Sequence, residues 1–227
     1  MNDIPSRIKK IKNQIREWEM RYQRKPGTVL LLAASKTQPV EKIREAVAAG
    51  QMAFGENYLQ ESLEKIISLA DEKIEWHFIG SIQSNKTRKI AEHFAWVHTV
   101  SDIKIAKRLN EQRPMHLPPL NICLQVNSSL DAAKAGIDPK DIDSLAEYCS
   151  GLENIKLRGL MTIPIHKNTF DEQREELKKL RIVYEKLNER GFELDTLSMG
   201  MSEDMEAAIA EGSTLLRVGT AIFGKRK

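Results

Sequence analysis

Lys36 closes a wholly apolar run, Val29-Leu30-Leu31-Leu32-Ala33-Ala34-Ser35, and Thr37-Gln38-Pro39 breaks the chain directly after it. A buried strand that carries an amine to the rim of a barrel can make a lysine nucleophilic, because only the neutral amine attacks an aldehyde to form a Schiff base. An exposed lysine has a pKa of about 10.4, so holding it neutral at pH 7 costs roughly 4.6 kcal/mol, and desolvation lowers that cost. A lone strand-end lysine can equally lay its stem over the rim and keep its charge in water. The role of Lys36 therefore depends on what the rest of the chain brings to it.

Two further stretches carry unusual local chemistry. One is Leu197-Ser198-Met199-Gly200-Met201-Ser202, with a helix expected from Glu203; the other is Arg217-Val218-Gly219-Thr220-Ala221-Ile222-Phe223-Gly224. Glycine lets backbone N–H groups approach an anion closely, and Ser and Thr hydroxyls add donors. Donors of this kind, without a lysine, suit the phosphate monoester of a small ligand. Read singly, Ser202 is a helix cap and Gly219 a turn; read together, they form a phosphate cup. Glu203 and Asp204 would repel such a ligand, and both are expected to face solvent. Arg217, two residues before Gly219, can reach a ring lying between Gly219 and Lys36, or can serve a rim salt bridge.

These pieces need a scaffold. Ile4, Ile8, Ile11, Ile15 and Trp18 recur at helical spacing and predict an N-terminal helix. After it, apolar strands are expected over 29–35, 52–54, 76–79, 96–100, 121–126, 156–162, 196–199 and 215–218. Amphipathic helices are expected between them, over 40–49, 58–70, 85–94, 102–112, 139–150, 171–190 and 203–211. Gly50, Gly151 and Gly191 stand where helix C-caps belong. Eight such repeats describe an α/β fold, a closed (β/α)8 TIM barrel with an extra N-terminal helix. The expected organisation is a single domain over 1–227, with the helix in 1–24 and the barrel in 28–227. An open doubly wound sheet is the competing architecture, but its dinucleotide site would want a glycine-rich turn where Ser35-Lys36-Thr37-Gln38-Pro39 stands. Barrel enzymes keep their sites at the C-terminal ends of the strands, with phosphate after strands seven and eight. Closure makes strand one a neighbour of strand eight, which brings Lys36 and Arg217 together.

Bulk properties narrow the partners. The 35 basic and 32 acidic side chains leave a net charge of +3, which gives no reason to expect nucleic acid or an anionic membrane. No apolar run reaches membrane-spanning length, and Met1-Asn2-Asp3-Ile4-Pro5 does not open a secretory signal, so a cytoplasmic protein is expected. Cys123 and Cys149 form no CxxC pair, and the histidines are scattered one to a segment, so neither a disulfide nor a metal site is expected.

The motifs also carry a resemblance. Ala34-Ser35-Lys36-Thr37, Phe54-Gly55-Glu56-Asn57-Tyr58, Trp76-His77-Phe78-Ile79-Gly80 with Gln83-Ser84-Asn85-Lys86, Arg158-Gly159-Leu160-Met161, and the two stretches around Ser202 and Gly219 resemble the pyridoxal phosphate homeostasis proteins. The fold of that family is similar to the N-terminal barrel of alanine racemase. The resemblance implies pyridoxal 5′-phosphate as cofactor, held as a Schiff base on Lys36. It implies that Ser198, Ser202, Gly219 and Thr220 hold the phosphate, with Met201 beside them, and that Arg217 faces the pyridine nitrogen. An arginine there keeps that nitrogen unprotonated and weakens the ring as an electron sink. Asn57 and His77 are implied as ring-side contacts, although His77 can equally be a satisfied core histidine.

The family resemblance implies a carrier or regulator of the cofactor that acts in vitamin B6 homeostasis, with no catalytic residue to assign. Its partners would be pyridoxal 5′-phosphate and the apo-enzymes that require it; a monomer is expected. The alternative is an amino-acid racemase, which needs an acid/base group across the ring from the lysine. The chain ends just after strand eight, where alanine racemase would add a second domain, and of its four tyrosines only Tyr58 is expected near the site. An aldolase-type barrel would use the same lysine and phosphate logic but gives Arg217 no role. Lys134, in the loop after strand five, is either a solvated loop lysine or a second acceptor for the aldehyde.

Overall fold

The apolar runs form strands because they are short, rich in branched residues and bounded by turn formers, whereas the intervening segments repeat their apolar positions every three to four residues. The computed structural model describes residues 3–224; the outermost positions of the expected helix and barrel spans, 1–2 and 225–227, lie outside the described residues. The helices are α1 (Ile4–Arg21), α2 (Val40–Ala48), α3 (Leu59–Ser68), α4 (Thr87–His93), α5 (Ile103–Gln112), α6 (Ile142–Ser150), α7 (Phe170–Glu189), α8 (Met205–Ala210) and α9 (Thr220–Phe223). The strands are β1 (Leu30–Ala34), β2 (Ala53–Glu56), β3 (Glu75–Phe78), β4 (Trp96–Val100), β5 (Leu120–Gln125), β6 (Ile155–Met161), β7 (Thr196–Ser198) and β8 (Leu215–Val218). All pairs are parallel, and β8 returns to β1 with Leu32 opposite Arg217, so the sheet is a closed eight-stranded barrel.

Alternation along each strand separates two cores. Leu31 and Ala33 on β1, Phe54 on β2 and Phe78 on β3 face outward into the large cluster under the helices. Leu32, Ala53, Ile79 and Leu215 face inward, as do Trp96, Cys123 and Met161 in a second interior cluster. Polar residues occupy the interior above them: His77, His98, Ser198 and Arg217 are all buried.

The N-terminal helix α1 begins at Asp3, whose side chain accepts the Ser6 N–H, and buries Ile4, Ile8, Ile11 and Ile15. It packs against α2, α8 and α9. The helix after β8, α9, is a single turn, so α1 fills the place in the outer ring that a full eighth helix would take. Glu19, wholly buried near the end of α1, accepts from the backbone N–H groups of Gly27 and Val29 at 2.8 Å each and ties the helix to the entry of β1. No helix among the described residues is long and apolar enough to cross a membrane.

Three local departures from the sequence expectation concern the site. β1 stops at Ala34, which leaves Lys36 in a turn beyond the strand. β2 runs on through Gly55 and Glu56, residues of low strand propensity, because they pair with His77 and Phe78 of β3. The seventh-strand helix begins at Met205, so Glu203 and Asp204 belong to the loop before it.

Candidate functional site

A cavity of about 560 Å³ opens at the C-terminal ends of the strands. Seven of the nine residues expected to hold the cofactor line it: Lys36, Asn57, Met201, Ser202, Arg217, Gly219 and Thr220. Ser198 and His77 do not; both are wholly buried within the barrel, beneath the cavity.

Lys36 shares the inward parity of Leu32 and Ala34, which carries its side chain to the cavity. The turn that holds it is built on several contacts. Thr37 adopts φ 63, an uncommon conformation for a β-branched residue. Its N–H donates to Glu61 at 2.6 Å, and Gln38 N–H donates back to Ser35 O at 3.0 Å. Lys36 is half-buried.

Beside it, two loops meet. Gly200 has φ 99, and a Cβ there would meet Ala208 and Leu216 side-chain carbons at 2.5 Å, so only glycine fits the turn. Gly219 approaches the end of β1 so closely that a Cβ would lie 3.1 Å from Ala34 O. Ser202 does not cap α8; its Oγ accepts from Ala221 N–H at 3.4 Å and joins the two loops. Glu203 and Asp204 both line the cavity, contrary to the expectation that they turn away from it; the Glu203 carboxylate is nevertheless largely exposed and lies 3.3 Å from His166. Asp204 instead turns inward and accepts from Met201 N–H; the capping demand of the tight loop overrides its charge. Burial raises the Asp204 carboxyl, and the loop N–H and Arg217 offset this only in part.

Arg217 is the most constrained side chain of the site. Its Nη1 donates to Ser198 O at 2.6 Å and Ser198 Oγ at 2.8 Å, and its Nη2 donates to Thr162 O at 2.8 Å. Burial pulls its guanidinium down to about 10, against the opposing pull of Asp204, so it stays charged at neutral pH. Asn57, directly after β2, lines the cavity next to Gly80; a Cβ on Gly80 would meet Asn57 O at 2.0 Å. The side-chain Oδ1 of Asn57 is buried and has no hydrogen-bond partner.

The sequence reading missed the loop after β6, where Ile163, Pro164, Ile165, His166 and Lys167 form one wall, and Gln173 and Glu176 of α7 behind it. The rule that top-face loops carry barrel sites pointed to that loop, but its apolar Ile163-Pro164-Ile165 stretch gave no sign that His166 and Lys167 would reach the same cavity. His98 was also missed; it joins His77 to Ser198 through hydrogen bonds of 2.9 Å on either ring nitrogen. Lys134 reaches the rim, where its Nζ donates to Ile163 O at 3.1 Å. Tyr58 is exposed, and none of the four tyrosines lines the cavity. No cluster able to hold a metal occurs among the described residues.

Residues 8–227 match the family model of the alanine racemase N-terminal domain. The chain is 52% identical over 230 residues to the pyridoxal phosphate homeostasis protein of Vibrio alginolyticus, covering 100% of this chain and 99% of the relative. It is 55% identical over 226 residues to that of Pseudomonas aeruginosa, covering 100% and 97%. Among solved structures it is similar to PipY of Synechococcus elongatus PCC7942 with PLP bound, at 37% identity and a TM-score of 0.85, covering 98% of this chain and 100% of that one. The alanine racemase of Clostridium difficile 630 shares the fold alone, at 15% identity and a TM-score of 0.74, with 57% of its length covered. With a relative of that identity along its whole length and the barrel the family requires, the chain belongs to the pyridoxal phosphate homeostasis proteins.

Proposed function

We propose that the cavity holds pyridoxal 5′-phosphate and that the protein works as a carrier or regulator of this cofactor, without robust catalysis. The observation that carries the reading is the convergence of Lys36, Arg217 and the Ser202–Gly219 loops on one cavity at the barrel's C-terminal rim. The donor set fits the cofactor. The unpartnered Asn57 Oδ1 wants a hydroxyl or N–H donor, the side-chain-free wall at Gly219 beside the Thr220 hydroxyl suits a phosphate, and the amine of Lys36 suits an aldehyde. When bound, the cofactor supplies an aldehyde and an aromatic ring able to accept electrons.

The chain's own residues would act as follows. Lys36 would hold the aldehyde carbon covalently, its oxygen leaving as water, while Ser202, Gly219 and Thr220 would bind the phosphate with Met201 beside them. Arg217 presents a fixed N–H edge to the ring nitrogen, and its persistent charge opposes protonation there. Ser198 acts one layer down, by anchoring Arg217, and His77 belongs to the same interior layer. A racemase would need a second acid/base group facing Lys36; no tyrosine lines the cavity, and the His166 imidazole on its wall lies against the Glu203 carboxylate at 3.3 Å. In this role the partners are the cofactor and the apo-enzymes that require it, and two free, buried cysteines suit a reducing cytoplasm.

Mixing ligand-free protein with pyridoxal 5′-phosphate is expected to give a new visible absorption band. Borohydride reduction and peptide mapping should then place the cofactor on Lys36. No band, or a band retained in Lys36→Ala, would overturn the reading. Sustained interconversion of L- and D-amino acids, followed by chiral chromatography, would overturn the carrier in favour of the racemase.

A further inference from the structure

The barrel interior contains a continuous hydrogen-bonded chain that runs from the cavity to the opposite rim. Arg217 Nη1 lies 2.8 Å from Ser198 Oγ, Ser198 Oγ lies 2.9 Å from His98 Nδ1, His98 Nε2 lies 2.9 Å from His77 Nδ1, and His77 Nε2 lies 2.9 Å from Glu75 Oε1. Ser198, His98 and His77 are wholly buried, whereas the Glu75 side chain is 49% exposed. Glu75 is the first residue of β3, at the N-terminal end of the barrel, and Arg217 lines the cavity at the other end.

The chemistry of the end groups gives this chain one direction. Both imidazoles are kept neutral by burial, so each ring has one donor and one acceptor. The Glu75 carboxylate can only accept, and its hydrogen bond from His77 holds it below the usual carboxylate range. The proton of His77 is therefore on Nε2, its Nδ1 accepts, and His98 must donate from Nε2. His98 Nδ1 then accepts the single proton of Ser198, whose oxygen lone pairs are left facing Arg217. Trp96 stacks on His77 with ring centroids 5.4 Å apart and planes within 7°, which blocks the ring from turning over. Arg158 lies over Trp96 at 4.9 Å and pairs with Asp195, so the charged groups packed around the Glu75 end are themselves fixed.

We propose that Glu75, His77 and His98 are positioning residues for Arg217, holding its guanidinium through Ser198 in the orientation that receives the ligand's ring. This rests on the reading of Arg217 as the ring-nitrogen partner given above. Removal of Glu75 takes away the acceptor that orders the chain. His77 and His98 can then adopt the opposite tautomers, His98 donates to Ser198, and the Ser198 O–H stays bonded but is free to turn toward Arg217, a donor facing a donor. A residue on the far rim thus controls one edge of the cavity and leaves the phosphate cup alone.

Two measurements on the full chain test this. In ligand-free protein labelled with 15N-histidine, two-bond proton–nitrogen correlations should show the Nε2–H tautomer for both His77 and His98, with Nδ1–H appearing in Glu75→Ala. Equilibrium titration should show Glu75→Ala binding pyridoxal 5′-phosphate about three- to ten-fold more weakly than wild type, the loss expected of one hydrogen bond, with inorganic phosphate binding unchanged. Glu75→Gln, which keeps an acceptor oxygen, should restore most of the loss. An Nδ1–H tautomer on either ring in the wild type would overturn the proposal, as would equal affinity of Glu75→Ala and wild type. If the wild type takes up no cofactor while the tautomers still follow Glu75, the functional reading fails and the relay stands.

Discussion

Lys65 Nζ donates to the carbonyl oxygen of Ser35 at 2.7 Å, one residue before Lys36. The same ammonium lies 2.8 Å from Glu56 and 2.5 Å from Glu61, and Ser35 Oγ donates to Glu56 at 2.6 Å. Glu56 ends β2 on its outer face and Ser35 directly follows β1 with the outward parity of Leu31 and Ala33, so Lys65 of α3 clamps both strand ends from behind while Lys36 emerges on the inner side. The second oxygen of Glu56 is buried without a partner, and burial raises this carboxyl despite the nearby ammonium.

Replacing Lys65 strands that carboxylate. Lys65→Met should cost about 3–5 kcal/mol, the range for breaking one side of a buried pair. Lys65→Met combined with Glu56→Gln should recover at least half of the loss, because the uncompensated charge is then gone. Urea unfolding of the single and double variants checks this; strictly additive losses would mean that the pair does not act as a unit.

The buried histidines make stability depend on pH. Burial holds His77 below 6.5 and His98 well below it, so in moderately acidic solution the unfolded chain binds protons that the folded protein does not. The stabilisation is complete above pH 6.5 and is lost as pH falls toward the folded values. Glu56 and Asp204, both raised by burial, act in the opposite sense at lower pH, so the histidine contribution is read by difference. Between pH 7.5 and 5.5, wild type should lose about 1 kcal/mol more than His98→Gln. Parallel urea curves for the two proteins across that range would refute it.

Arg217 holds three acceptors with a planar fork, which an ammonium cannot reproduce. Arg217→Lys preserves the charge but leaves Thr162 O or a Ser198 oxygen unmet, at a cost of about 1–3 kcal/mol. Arg217→Met should cost more. Stability of the lysine variant within about 0.5 kcal/mol of wild type would show that charge rather than fork geometry anchors the layer.

The scaffold was largely legible because strand and helix periodicities differ and because the apolar run from Val29 to Ser35 is short and bounded by turn formers, which favours the strand found over Leu30–Ala34. Lys36 and Arg217 were legible for a related reason: strand parity and closure of β8 on β1 place both at one cavity. What could not be read was interior register. His98 and Ser198 are a hundred residues apart, and nothing local to either shows that they meet inside the barrel. Asp204 was misjudged because its negative charge was weighed against a ligand, while the decisive partner was the Met201 N–H three residues away. The β6 loop was overlooked because Ile163, Pro164 and Ile165 contribute shape and not chemistry.

Two glycines should separate structure from ligand binding. A Cβ at Gly80 would sit 2.0 Å from the backbone oxygen of Asn57, which cannot yield without moving the end of β2. Gly80→Ala should therefore destabilise the fold by about 1–3 kcal/mol or more, as overpacking does, and displace Asn57 from the cavity. At Gly219 the nearest atom, Ala34 O, is 3.1 Å away, and a shift of a few tenths of an ångström accommodates the methyl group. Gly219→Ala should cost less than about 1 kcal/mol of stability, yet weaken binding of pyridoxal 5′-phosphate about ten-fold, because the backbone can no longer approach an anion as closely. Urea unfolding paired with equilibrium titration checks both variants. Unchanged affinity in Gly219→Ala would place the phosphate elsewhere in the cavity and leave Gly219 with a purely structural part in the contact between β8 and β1.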